Sequence, residues 1–378
     1  MTAANSIKRP GKPYPEFPLY AHSRGYWCKT YQGKKYNCGP WDDPQAALRR
    51  WEEIRNALKV GNDPCPKSGS LNVDRLVNAF LDSKDLQAQA GDLSPATFNQ
   101  YRNQCRWLKE NLGAARLVDS LGPADFTKLR SRFNPAWGVS HVGNVITVIR
   151  CVFKWGYDAA LLEKPVRYGT NLSMPSAKRR KLERASKPRK FFTASEIWAM
   201  HDTANERMRC WILLGLNCGY GNIDLARLRA SDVQGEWLEV PRGKTGEDRK
   251  AWLFPETREA IKRVTDGKNP DDLLFTTRYG KPLVANDGTR NVVSDEFKEL
   301  KAACNCDRHG VGFYALRHVF ETVAGETSDQ VAVNYVMGHS DNSMAAIYRE
   351  GISDERVKKV CSAVRDWFLA SKPRRTAK

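Results

Sequence analysis

The sequence has no run of 18 apolar residues, and its mean hydropathy is −0.59, so a membrane-spanning helix is not expected. Its opening stretch, MTAANSIKRPGKPYPEF, has no apolar core of the kind that drives secretion. Cysteine is sparse and scattered. Ten in 378 residues do not frame a disulfide scaffold and fit a reducing compartment. Acidic residues form no cluster suited to magnesium. No fixed-period repeat and no long low-complexity tract is present. Positive charge is what the chain has in excess: 61 Lys and Arg against 43 Asp and Glu, a formal net charge of +18. That makes nucleic acid the leading partner class, ahead of an anionic membrane surface. The length allows two or three domains.

Residues 1–16, rich in Pro, Lys and Gly, read as a flexible tail. In 17–60, Tyr26–Tyr31 and Lys34–Cys38 flank Gln32-Gly33 and read as a hairpin. Asp42 or Asp43 then caps a helix with Pro44 in its first turn and Ala47, Leu48, Trp51, Ile54 and Leu58 as its stripe. Residues 1–60 hold 11 Lys and Arg against 5 Asp and Glu, so this small sheet, with Lys29, Lys34 and Lys35, is expected to contact DNA. Residues 61–70 read as a linker, and 71–165 as an all-helical domain. Residues 166–190 read as a second, basic linker. Eight Lys or Arg and one Glu lie between Lys178 and Lys190, and Lys178, Arg179, Arg180 and Lys181 are expected to follow a phosphate backbone. Residues 191–378 form the largest domain. Thr193 or Ser195 caps its first helix. Strand-like pieces at 236–240 and 250–254 flank GKTGEDR, and helices are expected near 256–265, 294–304, 314–325, 329–337, 341–349 and 357–368.

The chemically informative residues come late. Tyr314-Ala315-Leu316-Arg317-His318 is followed by Met337-Gly338-His339-Ser340 and then Ile347-Tyr348. Arg317 and His339 are 22 residues apart, His339 and Tyr348 nine, and Lys244 lies 73 residues before Arg317 on the hairpin. A tyrosine can attack a phosphodiester and hold it as a phosphotyrosine. An arginine can clamp two phosphate oxygens. A lysine can protonate the departing 5′-oxygen, and a histidine can support the charged phosphate. None of these roles needs a metal or a cofactor.

The phrase YALRH…MGHSDNSMAAIYRE resembles the HxxRH…GHS…Y box of the tyrosine recombinase, or phage integrase, family. GLNCGYGNIDLARLRASDV resembles the box that opens the family's catalytic domain, and GKTGEDRK its β-hairpin lysine loop. The resemblance spans about residues 70–360, and 17–60 resembles, more weakly, an arm-binding amino-terminal module. It implies a mainly α fold with small β elements: a sheet-plus-helix module, a helical core-binding domain and a mixed catalytic domain. It implies a site-specific recombinase acting on double-stranded DNA through a 3′-phosphotyrosine. Tyr348 is then the nucleophile, Arg317 the second catalytic arginine, His339 the late-box histidine, Lys244 the general acid, and Tyr314 stands where HxxR has histidine. The implied partners are DNA, a homotetramer on it and accessory DNA-bending proteins, without a membrane, in the cytoplasm at the nucleoid. The final apolar stripe either docks on a neighbouring protomer or folds back on its own domain.

One departure is serious. The family's opening box carries arginine followed three residues later by Glu, and here those positions are Gly221 and Asp224. Arg249 or Arg242, flanking Lys244, are the candidates to compensate. Arg227 and Arg229, read as lying two turns along a helix, are expected to point elsewhere. A catalytically impaired, DNA-binding descendant is the alternative reading. Cys304, Cys306 and His309 lack a fourth zinc ligand at standard spacing and read as free side chains. Cys28 and Cys38 are candidates to face each other across the first hairpin, but a reducing compartment argues against a disulfide. His141 and His201 read as packing or surface residues, and His318 as either a phosphate contact or a packing residue.

Overall fold

The structure, a computed structural model, describes residues 9–22, 25–59, 71–341 and 343–373. The expected linker at 61–70 and the first half of the expected tail lie outside these. The chain divides into two compact units, Met1–Glu183 and Arg184–Lys378.

The first unit holds two separate cores. Its opening module is an antiparallel sheet of β1 (Tyr20–His22), β2 (Tyr26–Tyr31) and β3 (Lys34–Pro40), with α1 (Pro44–Lys59) packed on it. The hairpin is where the alternating aromatic and β-branched residues put it, but β1 carries too few apolar residues to be read from sequence. Asp43 caps α1, its Oδ1 accepting from Ala46 N–H at 2.8 Å. Phe17, Trp27, Cys38, Trp51 and Ile54 fill the core, and Cys28 and Cys38 are not joined by a disulfide. Tyr14 packs edge-on against Phe17, so the end of the expected tail is tied down.

The second core belongs to the helices α2 (Val73–Gln89), α3 (Pro95–Leu112), α4 (Pro123–Ser131) and α5 (Val139–Asp158). Ser94 caps α3 with Pro95 next to it. The stripe of α5, Val145, Val148, Ile149, Val152 and Phe153, is buried as its spacing requires. The basic stretch is not an extended linker throughout. Ala177–Ser186 is a helix, α6, with no buried residue. Its Arg and Lys residues are good helix formers, and Glu183 accepts from Val139 N–H at 2.6 Å, capping α5.

The second unit is built on α7 (Ala194–Thr203), α8 (Glu206–Asn217) and α9 (Asn222–Arg227). The small sheet β4 (Val233–Gln234), β5 (Trp237–Glu239) and β6 (Lys250–Trp252) follows. Then come α10 (Pro255–Thr265), α11 (Val292–Ala303), α12 (Ala315–Gly325), α13 (Gln330–Met337), α14 (Met344–Ile347) and α15 (Asp354–Ala370). Thr193 caps α7 in a box with Glu196. Between α10 and α11 the chain makes two isolated bridges, Thr276 to Pro282 and Val284 to Asn291, which the sequence reading did not anticipate.

The apolar helix α8 lies at the centre of this unit. Gly215 lets it approach α12, because a Cβ there would fall 2.9 Å from Leu316 and 3.0 Å from Phe313. Buried Asn217 ties the end of α8 to β6, donating to Trp252 C=O at 2.8 Å and accepting from Phe254 N–H at 2.7 Å. The helix expected over 341–349 is only the four-residue α14, capped by Ser343. The final helix folds back on its own domain. Val357, Val360, Cys361, Val364 and Phe368 join the domain core, and Trp198 stacks on Phe368 at 4.2 Å while donating to its carbonyl at 2.8 Å. Arg365 and Arg356 pair through two bonds each with Glu256 and Asp329.

Candidate functional site

The ends of α8, α9, α12 and α13 and the hairpin between β5 and β6 place three arginines around a few backbone carbonyls. Arg317 is the innermost. The apolar face of α12 (Leu316, Val319, Phe320, Val323) is buried, and Arg317 is carried in beside it with only 2 % of its surface exposed. Its Nη1 donates to Gly219 C=O and its Nη2 to Met337 C=O, each at 2.7 Å. These carbonyls close the turns after α8 and at the end of α13, where the helix dipole is negative. Two of its five N–H groups are thus used to hold the guanidinium. Burial, and after it the positive charge of Arg242, lower its pKa, yet an arginine keeps its proton in any protein environment.

The hairpin docks on the turn after α13. Arg242 Nη1 donates to Gly338 C=O at 3.1 Å, and Thr245 Oγ1 donates to the same oxygen at 3.2 Å. Gly338 has φ +61°, and a Cβ there would meet Arg242 Cβ at 2.9 Å, so glycine is needed for both reasons. Arg249, 4 % exposed, donates from Nη2 to Asp224 Oδ1 at 2.7 Å and from Nε to Val240 C=O at 2.9 Å. Its guanidinium carbon lies 4.0 Å from the centroid of the Tyr220 ring. Burial disfavours its charge, but Tyr220 and Asp224 outweigh burial and raise its pKa. Tyr220 is itself fully enclosed, and burial pushes its hydroxyl well above the usual range. Among the described residues, neither Arg249 Nη1 nor Tyr220 Oη has a hydrogen-bond partner.

Gly221 stands at the start of α9. Its N–H donates to Asp224 Oδ2 at 2.7 Å, and a Cβ on it would lie 3.1 and 3.2 Å from two ring carbons of Tyr314. Tyr314 is 48 % exposed and packs edge-on against His318, 5.6 Å between centroids. His318 is held neutral further into the acid range than usual, by burial first and then by Lys190 and Arg184.

His339 follows Gly338. Its Nδ1 is 3.4 Å from Asn334 Oδ1, an oxygen that also accepts from Gln330 Nε2 at 3.0 Å. The acceptor beside Nδ1 favours the tautomer with its proton there, which leaves Nε2 as the basic nitrogen. Burial, then the charge of Arg317, lower its pKa.

The remaining expected residues are not drawn into this cluster. Tyr348, at the end of α14, is 78 % exposed, and among the described residues its hydroxyl makes no hydrogen bond. Arg349 pairs with Asp341 at 3.3 Å and ties this segment locally. Lys244 is exposed at the tip of the hairpin. Arg229 is off the helix, its side chain bonded to Asp271 C=O. Arg227, expected to point elsewhere, instead lies against Gly243 of the hairpin. Asp224 was seen in sequence only as a shortened glutamate. Its role as the counter-ion of Arg249 depends on a contact across 25 residues.

Lys178, Arg179, Arg180 and Lys181 lie on exposed α6. In the amino-terminal sheet Lys29 Nζ donates to Pro18 C=O at 3.0 Å, Lys34 lies over the Tyr36 ring, and Lys35 is exposed. Among the described residues no three His, Cys, Asp or Glu side chains gather as a metal site, and Cys304 and Cys306 donate to backbone carbonyls. No described helix is long and apolar enough to cross a membrane.

Residues 190–353 match the model of the phage integrase family. No curated protein matches the chain by sequence. Among solved structures, a lambda integrase dimer bound to a COC′ core site is similar at TM-score 0.54 and 15 % identity, over 90 % of this chain and 96 % of that one. A lambda integrase tetramer bound to a Holliday junction gives 0.55 and 16 %, over 90 % and 98 %. A Tn1549 transposon integrase fragment in complex with a circular intermediate DNA gives 0.56 and 16 %, over 76 % and 98 %. At these identities the likeness concerns the fold.

Proposed function

We propose that this chain, whose residues 190–353 belong to the phage integrase family, is a site-specific recombinase that cuts and rejoins duplex DNA through a 3′-phosphotyrosine. The observation that carries the proposal is the buried Arg317, fixed on two carbonyls with three N–H groups to spare and His339 beside it. Donors held in place before the reaction stabilise developing phosphate charge without reorganising.

In the first step the Tyr348 hydroxyl oxygen bonds to phosphorus and the bond to the 5′-oxygen breaks. The tyrosine proton passes to a base, for which His339 Nε2 is suited, and the 5′-oxygen takes a proton from Lys244. Arg317 balances charge on the non-bridging oxygens. One P–O ester replaces another, so rejoining is the same step reversed by the incoming 5′-hydroxyl. Tyr314, at the edge of the site, offers a phenolic hydroxyl to the phosphate. The exposed basic residues of α6 and Lys35 of the amino-terminal sheet are suited to the DNA backbone. Assembly as a homotetramer on DNA, help from DNA-bending proteins and a place at the nucleoid belong to the same reading.

A second reading, a DNA-binding protein without chemistry, is favoured by one observation, the glycine at 221. Covalent trapping separates the two. Purified chain and a Tyr348→Phe control are incubated with genomic DNA fragments in EDTA, and SDS-resistant complexes are sequenced. Tyr348-dependent adducts at a few loci are the expected result. Binding at discrete loci without adducts would leave the second reading standing.

A further inference from the structure

We infer that Arg249 supplies the guanidinium that the opening box lacks at Gly221, with Asp224 as its positioning residue. The inference rests on the recombinase reading above. The space beside Gly221 is taken by the Tyr314 ring, 3.1 Å from where a Cβ would be, so this position holds no cation of its own. The Asp224 carboxylate joins the two places. One oxygen accepts from Gly221 N–H, and the other accepts from Arg249 Nη2, both at 2.7 Å. The guanidinium therefore arrives beside Gly221 from the far strand of the hairpin rather than from α9.

Its orientation is fixed on three sides, by Asp224, by Val240 C=O and by the face of Tyr220. That leaves Nη1, buried and without a partner among the described residues. A cationic donor kept dry with nothing to donate to is costly, and an anionic oxygen offsets the cost. Arg249 also borders the turn that anchors Arg317: a Cβ on Gly338 would fall 3.3 Å from Arg249 Cδ, and Arg317 donates to the carbonyl of the adjacent Met337. Arg242 is the weaker candidate. It is part-buried, its guanidinium is spent on Gly338 C=O, and no carboxylate of the described residues orients it. Because Nη1 is shielded, direct contact with a phosphate oxygen requires neighbouring side chains to yield.

The test uses the full chain in single-turnover cleavage of a duplex carrying the trapped site. A matched duplex bears an uncharged methylphosphonate at the scissile position. Arg249→Ala is expected to slow cleavage of the phosphodiester by about 10²–10³-fold, the loss typical of one preorganised donor. The methylphosphonate, which needs no charge neutralised, should restore most of the rate. Gly221→Arg should recover activity in the Arg249→Ala background and add little to the wild type. Three results would each overturn the inference while sparing the recombinase reading: full activity of Arg249→Ala, a loss that neither methylphosphonate nor Gly221→Arg repairs, or a large gain from Gly221→Arg alone. A wild-type chain that forms no Tyr348 adduct overturns both.

Discussion

Arg317 and Tyr348 lie 31 residues apart in one domain and in opposite surroundings. Arg317 is buried, held by two carbonyls and framed by helix ends from three parts of the chain. Tyr348 is exposed, at the end of a four-residue helix, and among the described residues its hydroxyl makes no hydrogen bond. The contrast fits the roles proposed above for the two groups. A group that stabilises charge is most effective when fixed before the reaction. A nucleophile that must attack, hold and release a strand needs to be delivered and withdrawn, and such segments come from the weakly packed parts of a fold.

The largest expected effect tests the exposed side. Tyr348→Phe should reduce covalent adduct to background while changing stability by less than about 0.5 kcal/mol, as for a surface substitution. Adduct yield and denaturant unfolding measure the two quantities. A variant that unfolds would show that Tyr348 is structural after all.

Arg317→Ala should fail on both measures. Two buried carbonyls lose their donors, at about 1–3 kcal/mol each, and cleavage falls by about 10²–10³-fold. If unfolding experiments find its stability unaltered, the buried floor is not built as described. Trp198→Ala probes the same floor from a distance. It removes the stack and the hydrogen bond that hold Phe368 and α15, and about 3–5 kcal/mol of stability should go with them. A smaller loss, with a new dependence of oligomeric state on concentration, would indicate that α15 docks in trans.

The smallest effect concerns pH. His318 and His339 have pKa values lowered from 6.5 by burial and nearby cations. Below that range the unfolded chain binds protons that the folded chain refuses. Their contribution is therefore complete above the ordinary histidine pKa and is lost as pH falls towards their lowered values. The melting temperature should decline on acidification through this window, and His339→Gln should flatten the decline. An unchanged slope would remove His339 from the explanation.

Most elements were legible because local signals agree with tertiary packing. Ser94-Pro95, Thr193 with Glu196, and the stripe of α5 all announce themselves within one or two helical turns. Where the reading failed, packing or its absence was decisive. At α6, helix-forming basic residues form a helix with no buried face. Over 341–349 an apparent helix shrinks to four residues. At α9, Leu228 turns to extended backbone, which sends Arg229 to Asp271.

The order of the boxes, the residue types available for phosphoryl transfer and the vacancy at Gly221 were determined by the sequence alone, because each is a matter of identity and short spacing. That α15 folds back on its own domain, that Arg317 is held by the carbonyls of Gly219 and Met337, and that Arg249 reaches Asp224 were decided only by the tertiary structure. Those contacts join segments 20 to 170 residues apart, and no local propensity specifies which distant carbonyl or carboxylate a buried guanidinium will meet.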